Sequence, residues 1–151
     1  MASLIVDQDI LRLAGKLSVA STETEWRSAA SRAYFAAFHR VRILLLGMGF
    51  EVPRGDQSHG YLWRRLQSCQ TTSIGVAGTL LSQLRGVRNR ADYDLNVEFL
   101  QREAMYCVES AADIFQVVER LSPDDRQQAL ETMKEFEQNI LRESTWRQRP
   151  R

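Results

Sequence analysis

Trp26-Arg27-Ser28-Ala29-Ala30-Ser31-Arg32-Ala33-Tyr34-Phe35-Ala36-Ala37-Phe38-His39-Arg40-Val41-Arg42-Ile43-Leu44-Leu45-Leu46-Gly47-Met48-Gly49 is the longest stretch of this 151-residue chain with an unbroken helical period. Trp26, Ala29, Ala30, Ala33, Ala37, Val41, Leu44, Leu45 and Met48 recur at intervals of three and four, which places them on one face of a helix. Thr22 or Thr24 is a suitable N-cap, Glu23 and Glu25 favour the positive end of the helix dipole, and Gly47 with Gly49 offers a stop. Small side chains let a neighbouring backbone approach closely, so the alanines mark this helix as the centre of the fold.

Working outward, every other long segment also has a helical period and none alternates like a half-buried strand. A helix is expected from about Asp7 to Val19, with Ile10, Leu11, Leu13, Ala14 and Leu17 as its apolar stripe. Residues 50 to 57 hold Pro53 and Gly55 and form a loop, after which Ser58 is expected to cap a short helix to about Leu66. From about Thr72 a further helix turns Ile74, Ala77, Leu80, Leu81, Leu84 and Val87 inward. Gly75 and Gly78 each weaken it by about 1 kcal/mol against alanine, so tight packing or a late start is expected there. Asn96 is expected to cap the next helix, with Val97, Leu100, Ala104, Cys107, Ala111, Ile114 and Phe115 on one face. Ser122-Pro123-Asp124-Asp125 is a strong start signal for a last helix carrying Leu130, Met133, Phe136, Ile140 and Leu141, acidic outside. The expected fold is all-α, an up-down four-helix bundle with a short extra helix and an added C-terminal helix. Residues 1–121 form the bundle, and 122–151 add the amphipathic helix and a basic tail, Trp146 to Arg151, to the same domain.

Bulk composition bounds the function classes. No run of about 20 apolar residues is present to span a membrane, and the N-terminus carries early aspartates instead of a basic leader, so a cytoplasmic location with no membrane partner is expected. Cys69 and Cys107 are the only cysteines, and they lie in no metal-ligand spacing, so neither disulfide nor metal is expected. The net charge of +1 argues against general coating of nucleic acid. Its distribution is uneven: residues 26–65 hold seven arginines against Glu51 and Asp56, and residues 99–138 hold nine acids against four cations. A basic face for phosphates and two helices pairing opposite charges both fit that pattern.

The segment Arg85-Gly86-Val87-Arg88-Asn89-Arg90-Ala91-Asp92-Tyr93-Asp94-Leu95 loads one helix end with charge. Arg88 and Asp92 stand four apart, as do Arg90 and Asp94, and such intrahelical pairs contribute about 0.3–0.5 kcal/mol each. They account for the charges without a ligand, but not for Asn89 and Tyr93 beside them. Structural and functional readings therefore both stay open on periodicity alone.

Three motifs in order resemble the HEPN domains, small helical bundles of prokaryotic ribonuclease toxins and defence proteins. They are Ser31-Arg32-Ala33-Tyr34-Phe35-Ala36-Ala37-Phe38-His39, then Ser58-His59-Gly60, then Arg88-Asn89-Arg90-Ala91-Asp92-Tyr93-Asp94. The last matches an Arg-x-x-Ala-Asp-Tyr-Asp variant of the family's Arg-x-x-x-x-His motif, with Tyr93 at the histidine position. The resemblance implies a homodimer that cleaves RNA without metal or cofactor, its paired motifs facing each other across a cleft. Arg88 would then hold phosphate, Asn89 and Asp92 would orient it, and Tyr93 or His59 would move a proton. A phenol titrates near 10 and at neutral pH donates more readily than it accepts, which makes His59 the alternative carrier. His39, inside the long helix, is the structural histidine of the two.

Guanidinium forks suit phosphates, so Arg85, Arg90, Arg64 and Arg65 are further candidates for nucleic-acid contact. Trp63 and the tail around Trp146 offer rings for base stacking, whereas Tyr34 lies near the apolar stripe. Three functions fit: an RNA-cleaving effector of toxin-antitoxin or antiviral systems; a non-catalytic module that holds RNA, a nucleotide or a nucleotidyltransferase-type antitoxin, with Tyr93 as a modifiable hydroxyl; and an adaptor that docks other subunits through residues 122–151.

Overall fold

The long apolar period becomes a helix because both its ends are chemically marked. At the start the Glu25 amide donates to the Thr22 hydroxyl over 3.3 Å, and at the end Gly49 takes a φ of 108°, a left-handed turn that favours glycine. The computed structural model describes residues 4–70 and 72–148. They form α1 (Asp7–Ser18), α2 (Glu23–Met48), α3 (Gln57–Gln67), α4 (Ser73–Tyr93), α5 (Gln101–Glu119) and α6 (Pro123–Phe136), followed by a π-helical turn, Glu137–Leu141. Among the described residues the only extended pairing is one isolated bridge between Phe50 and Trp146. The expected all-α helical bundle is what the structure shows. Arg149 to Arg151, the end of the expected basic tail, lie outside the described residues.

The chain divides into two compact units, Met1–His39 with Leu80–Phe115, and Arg40–Thr79 with Gln116–Arg151. In the first, Ala29, Ala30, Ala33, Ala36 and Ala37 are all fully buried, and the core includes Leu84, Ala104, Cys107 and Ile114. In the second, Leu45, Leu62, Leu66, Ile74 and Met133 are buried. The glycines of α4 reflect close packing here: a Cβ on Gly75 would meet the Cys69 carbonyl oxygen at 2.2 Å, and one on Gly78 would meet Leu66 Cβ at 2.7 Å.

Three local expectations are corrected. Ser58 does not cap α3, which begins one residue earlier; its buried hydroxyl donates instead to the Gly55 carbonyl over 2.6 Å. Asn96 does not cap α5, which begins at Gln101, with the Leu100 amide donating to Glu103 Oε2 over 2.9 Å. The intervening segment is drawn inward by its carbonyls, so that Val97 is half exposed and Phe99 takes the core position. The last helix breaks its period at the π turn, whose extra residue rotates the register. Ile140 is therefore exposed, whereas Glu137, four residues after the buried Met133, is 1% exposed.

Candidate functional site on the last turns of α4

The charged helix end takes shape in the first unit. Arg88, Asn89 and Asp92 lie on adjacent turns of α4. The Asp92 carboxylate stands 2.9 Å from Arg88 Nε, an ion pair in which the N–H is not aligned as a hydrogen bond. Arg88 Nη1 donates to Asn89 Oδ1 over 3.1 Å, and Ser31 of α2 donates to the same Asp92 oxygen over 3.2 Å. Three rings surround the guanidinium, with its carbon 4.9 Å from the Phe35 centroid, 5.7 Å from Tyr93 and 5.9 Å from Tyr34. Only 16% of the Arg88 side chain and 27% of Asp92 is exposed, so the pair sits at the floor of the surface. A guanidinium among such rings gains cation–π attraction, about 0.5–2 kcal/mol per good contact.

One turn back, Arg85 is half-buried, and its buried Nε has no hydrogen-bond partner. Tyr34 lies beside both arginines and is 1% exposed. Burial pushes its phenol up to about 12, against the pull of Arg85 and Arg88, so it is a fixed neutral group at any physiological pH. Tyr93 is the opposite, 70% exposed on the rim. Leu95 and Val97 continue that exposed edge.

The other candidates fare differently. Arg90 does not pair with Asp94, because α4 ends at Tyr93; it bonds Glu103 of α5 over 2.8 Å instead. Burial raises the Glu103 carboxyl, but the Leu100 amide and Arg90 outweigh it and hold it below the usual glutamate range. His59 lies half-buried in the first turn of α3, and Arg64 stands exposed 5.4 Å from the Trp63 ring; both belong to the second unit. Arg65 is no surface phosphate ligand. It is 2% exposed, donates to Glu137 over 3.0 and 2.9 Å, and stacks 3.4 Å from the Tyr61 centroid. Trp146 is likewise occupied, its indole N–H donating to the Met48 carbonyl over 2.9 Å with Lys134 over its face. An open cleft of about 440 Å³ in the second unit has Arg64, Gln67, Thr132, Phe136 and Asn139 on its wall and none of the α4 motif residues.

Ser31, Phe35 and Arg27 were not singled out by sequence reasoning as parts of this site. Ser31 and Phe35 lie inside the quoted small-residue motif of α2, four apart, on the turns that face α4. No cluster of three or more metal-binding side chains occurs among the described residues, and no helix there is long and apolar enough to cross a membrane.

A helical domain in which a buried alanine-rich helix supports an Arg-Asn-x-x-Asp-Tyr end on a second helix defines a class. The chain belongs to the HEPN domain family, whose model matches residues 16–121. HEPN domains generally are ribonuclease or nucleotide-binding modules of defence and toxin systems, and they often dimerise. No curated protein and no solved structure matches the chain.

Proposed function

We propose that the protein is a metal-independent endoribonuclease of a toxin-antitoxin or antiviral system, acting on cytoplasmic RNA as a homodimer. The observation that carries this reading is the Arg88–Asp92 pair, boxed by three rings, with Arg85 Nε unpartnered one turn away. Arg88 and Arg85 bind the phosphate and stabilise the extra negative charge that develops as the ribose 2′-oxygen attacks phosphorus. Asn89 and Asp92 hold the Arg88 fork. The exposed Tyr93 hydroxyl donates its proton to the departing 5′-oxygen while solvent takes the 2′ proton, leaving a 2′,3′-cyclic phosphate and a 5′-hydroxyl. The solvent-exposed side chains of Tyr93, Leu95 and Val97 are apolar surface for a second copy to cover.

A second reading has its own support. Tyr93 stands where the family motif carries histidine, so the same cluster serves equally as a non-catalytic RNA or nucleotide site, or as the contact for a nucleotidyltransferase-type antitoxin that modifies the tyrosine. A 5′-labelled oligoribonucleotide incubated with the protein in chelator separates the two. Cleavage to a cyclic phosphate that disappears in Arg88→Ala supports the nuclease. Intact RNA bound by the wild type and released by Arg88→Ala supports the binding module, and a mass increase on Tyr93 after co-expression with a nucleotidyltransferase supports that partner.

A further inference from the structure

Helix α4 ends where its charged motif ends, yet nothing in its own sequence closes it. The positive-φ residues among those described are Gly49, Gly55 and Arg142, so the left-handed cap that stops α2 is missing after Tyr93. The last carbonyls of a helix need partners all the same. They find one in Arg27, four residues into α2 from Glu23. Its Nη1 donates to the carbonyls of Arg90 (3.3 Å), Ala91 (2.8 Å) and Asp94 (3.2 Å), and its Nη2 to that of Val97. The guanidinium is 5.6 Å from the Phe99 centroid, and Glu23 accepts the Phe99 amide over 2.6 Å while standing 3.8 Å from Arg27 Nε. Arg27 itself is 9% exposed.

A single planar fork therefore gathers four carbonyls spread over eight residues, and a lysine ammonium, with three donors on a point charge, cannot reproduce that spread. The gathering has a direct effect on the outer surface. With the Asp94 and Val97 carbonyls tied inward and Phe99 buried, the side chains of Tyr93, Leu95 and Val97 are left pointing to solvent. Asp92 and Tyr93 sit in the turn whose Arg90 and Ala91 carbonyls the same fork holds.

We infer that Arg27 is a positioning residue for this site. Acting through the backbone of residues 90–97, it sets Asp92 against Arg88 and holds Tyr93 and its apolar neighbours as a rigid rim. The inference rests on the ribonuclease reading only for its activity arm.

The test uses the full chain with Arg27→Ala and Arg27→Lys, checked for helix content by circular dichroism. Amide exchange is followed at Asp94, Val97 and Phe99, whose N–H groups bond within this segment or to Glu23, and oligoribonucleotide cleavage is measured alongside. Exchange at those amides is expected to quicken about tenfold or more in Arg27→Ala. The rate constant kcat should fall about 10- to 100-fold through misplacement of the motif, with KM within about threefold. Guanidinium chloride at low, non-denaturing concentration should restore both, whereas the same concentration of ammonium chloride should not. Arg27→Lys should lie close to Arg27→Ala. Wild-type exchange and turnover in Arg27→Lys, or losses in Arg27→Ala that guanidinium leaves untouched, overturn the inference. If the wild type cleaves no RNA, the nuclease reading falls by itself, and the exchange rates with their guanidinium rescue decide the role of Arg27.

Discussion

Arg88 is the residue whose environment is best defined, and its partner Asp92 sets how available it is. While it holds Arg88 through Nε, the carboxylate also offsets part of the positive charge that a phosphate would meet. Replacing Asp92 with Asn should therefore tighten binding of an uncleavable oligoribonucleotide by about fivefold, roughly 1 kcal/mol for a partly exposed pair. Fluorescence anisotropy at low salt reads this; weaker binding in Asp92→Asn would show that the carboxylate aids the ligand instead of competing with it. Tyr34 gives a second test at this scale. Its folded pKa of about 12 lies above the ordinary value of 10.0. In the window between those values the folded protein keeps a proton that the unfolded chain has released, so stability falls as pH rises through it. Tyr34→Phe should flatten that loss, measured by thermal unfolding from pH 9 upward; an unchanged slope removes Tyr34 from the account. The sequence marks Arg88, Asn89, Asp92 and Tyr93 as a cluster because they are consecutive turns of one helix. The unbonded Nε of Arg85, and the loss of Arg65 to a buried ion pair, depend on distant residues and have no local signal.

At the scale of elements, α4 carries two glycines whose substitution should have opposite effects. Alanine normally stabilises a helix interior by about 1 kcal/mol over glycine. A Cβ added at Gly86 would meet nothing within 4 Å, so Gly86→Ala should raise the melting temperature. Gly75 would press its new carbon onto the Cys69 carbonyl, so Gly75→Ala should lower it. Equal shifts in both variants would contradict the packing of α4 on the turn that follows α3. The π turn offers a sharper case. Glu137 accepts from Arg65 and from the Thr145 amide over 2.9 Å, and Tyr61 and Thr145 join their hydroxyls at 2.5 Å. Glu137→Leu removes the close buried partner of Arg65 and leaves only the more exposed Glu143 carboxylate, 3.5 Å from Nη2, so it should cost about 3 kcal/mol in denaturant unfolding. Arg65→Met with Glu137→Leu should recover most of it. The helices themselves were legible from apolar period and caps. The start of α5 and the register after Phe136 were not, because Arg27 and Arg65 reorganise those segments from other elements.

For the whole molecule, the apolar rim of Tyr93, Leu95 and Val97 is the face on which the homodimer reading depends. Leu95 is 75% exposed, so Leu95→Asp should leave the monomer folded. Sedimentation velocity should then show a dimer for the wild type and a monomer for the variant; an unchanged dimer would place the interface elsewhere. By itself the amino-acid sequence determined the all-α class, most helix boundaries, the buried alanine face and the family, since periodicity, caps and short motifs are properties of neighbouring residues. Only the tertiary structure decided which arginines meet solvent and which meet carbonyls or carboxylates. A guanidinium has the same chemistry at Arg27, Arg65, Arg85 and Arg88, and its role is set by the acceptors that folding brings within about 3 Å of it.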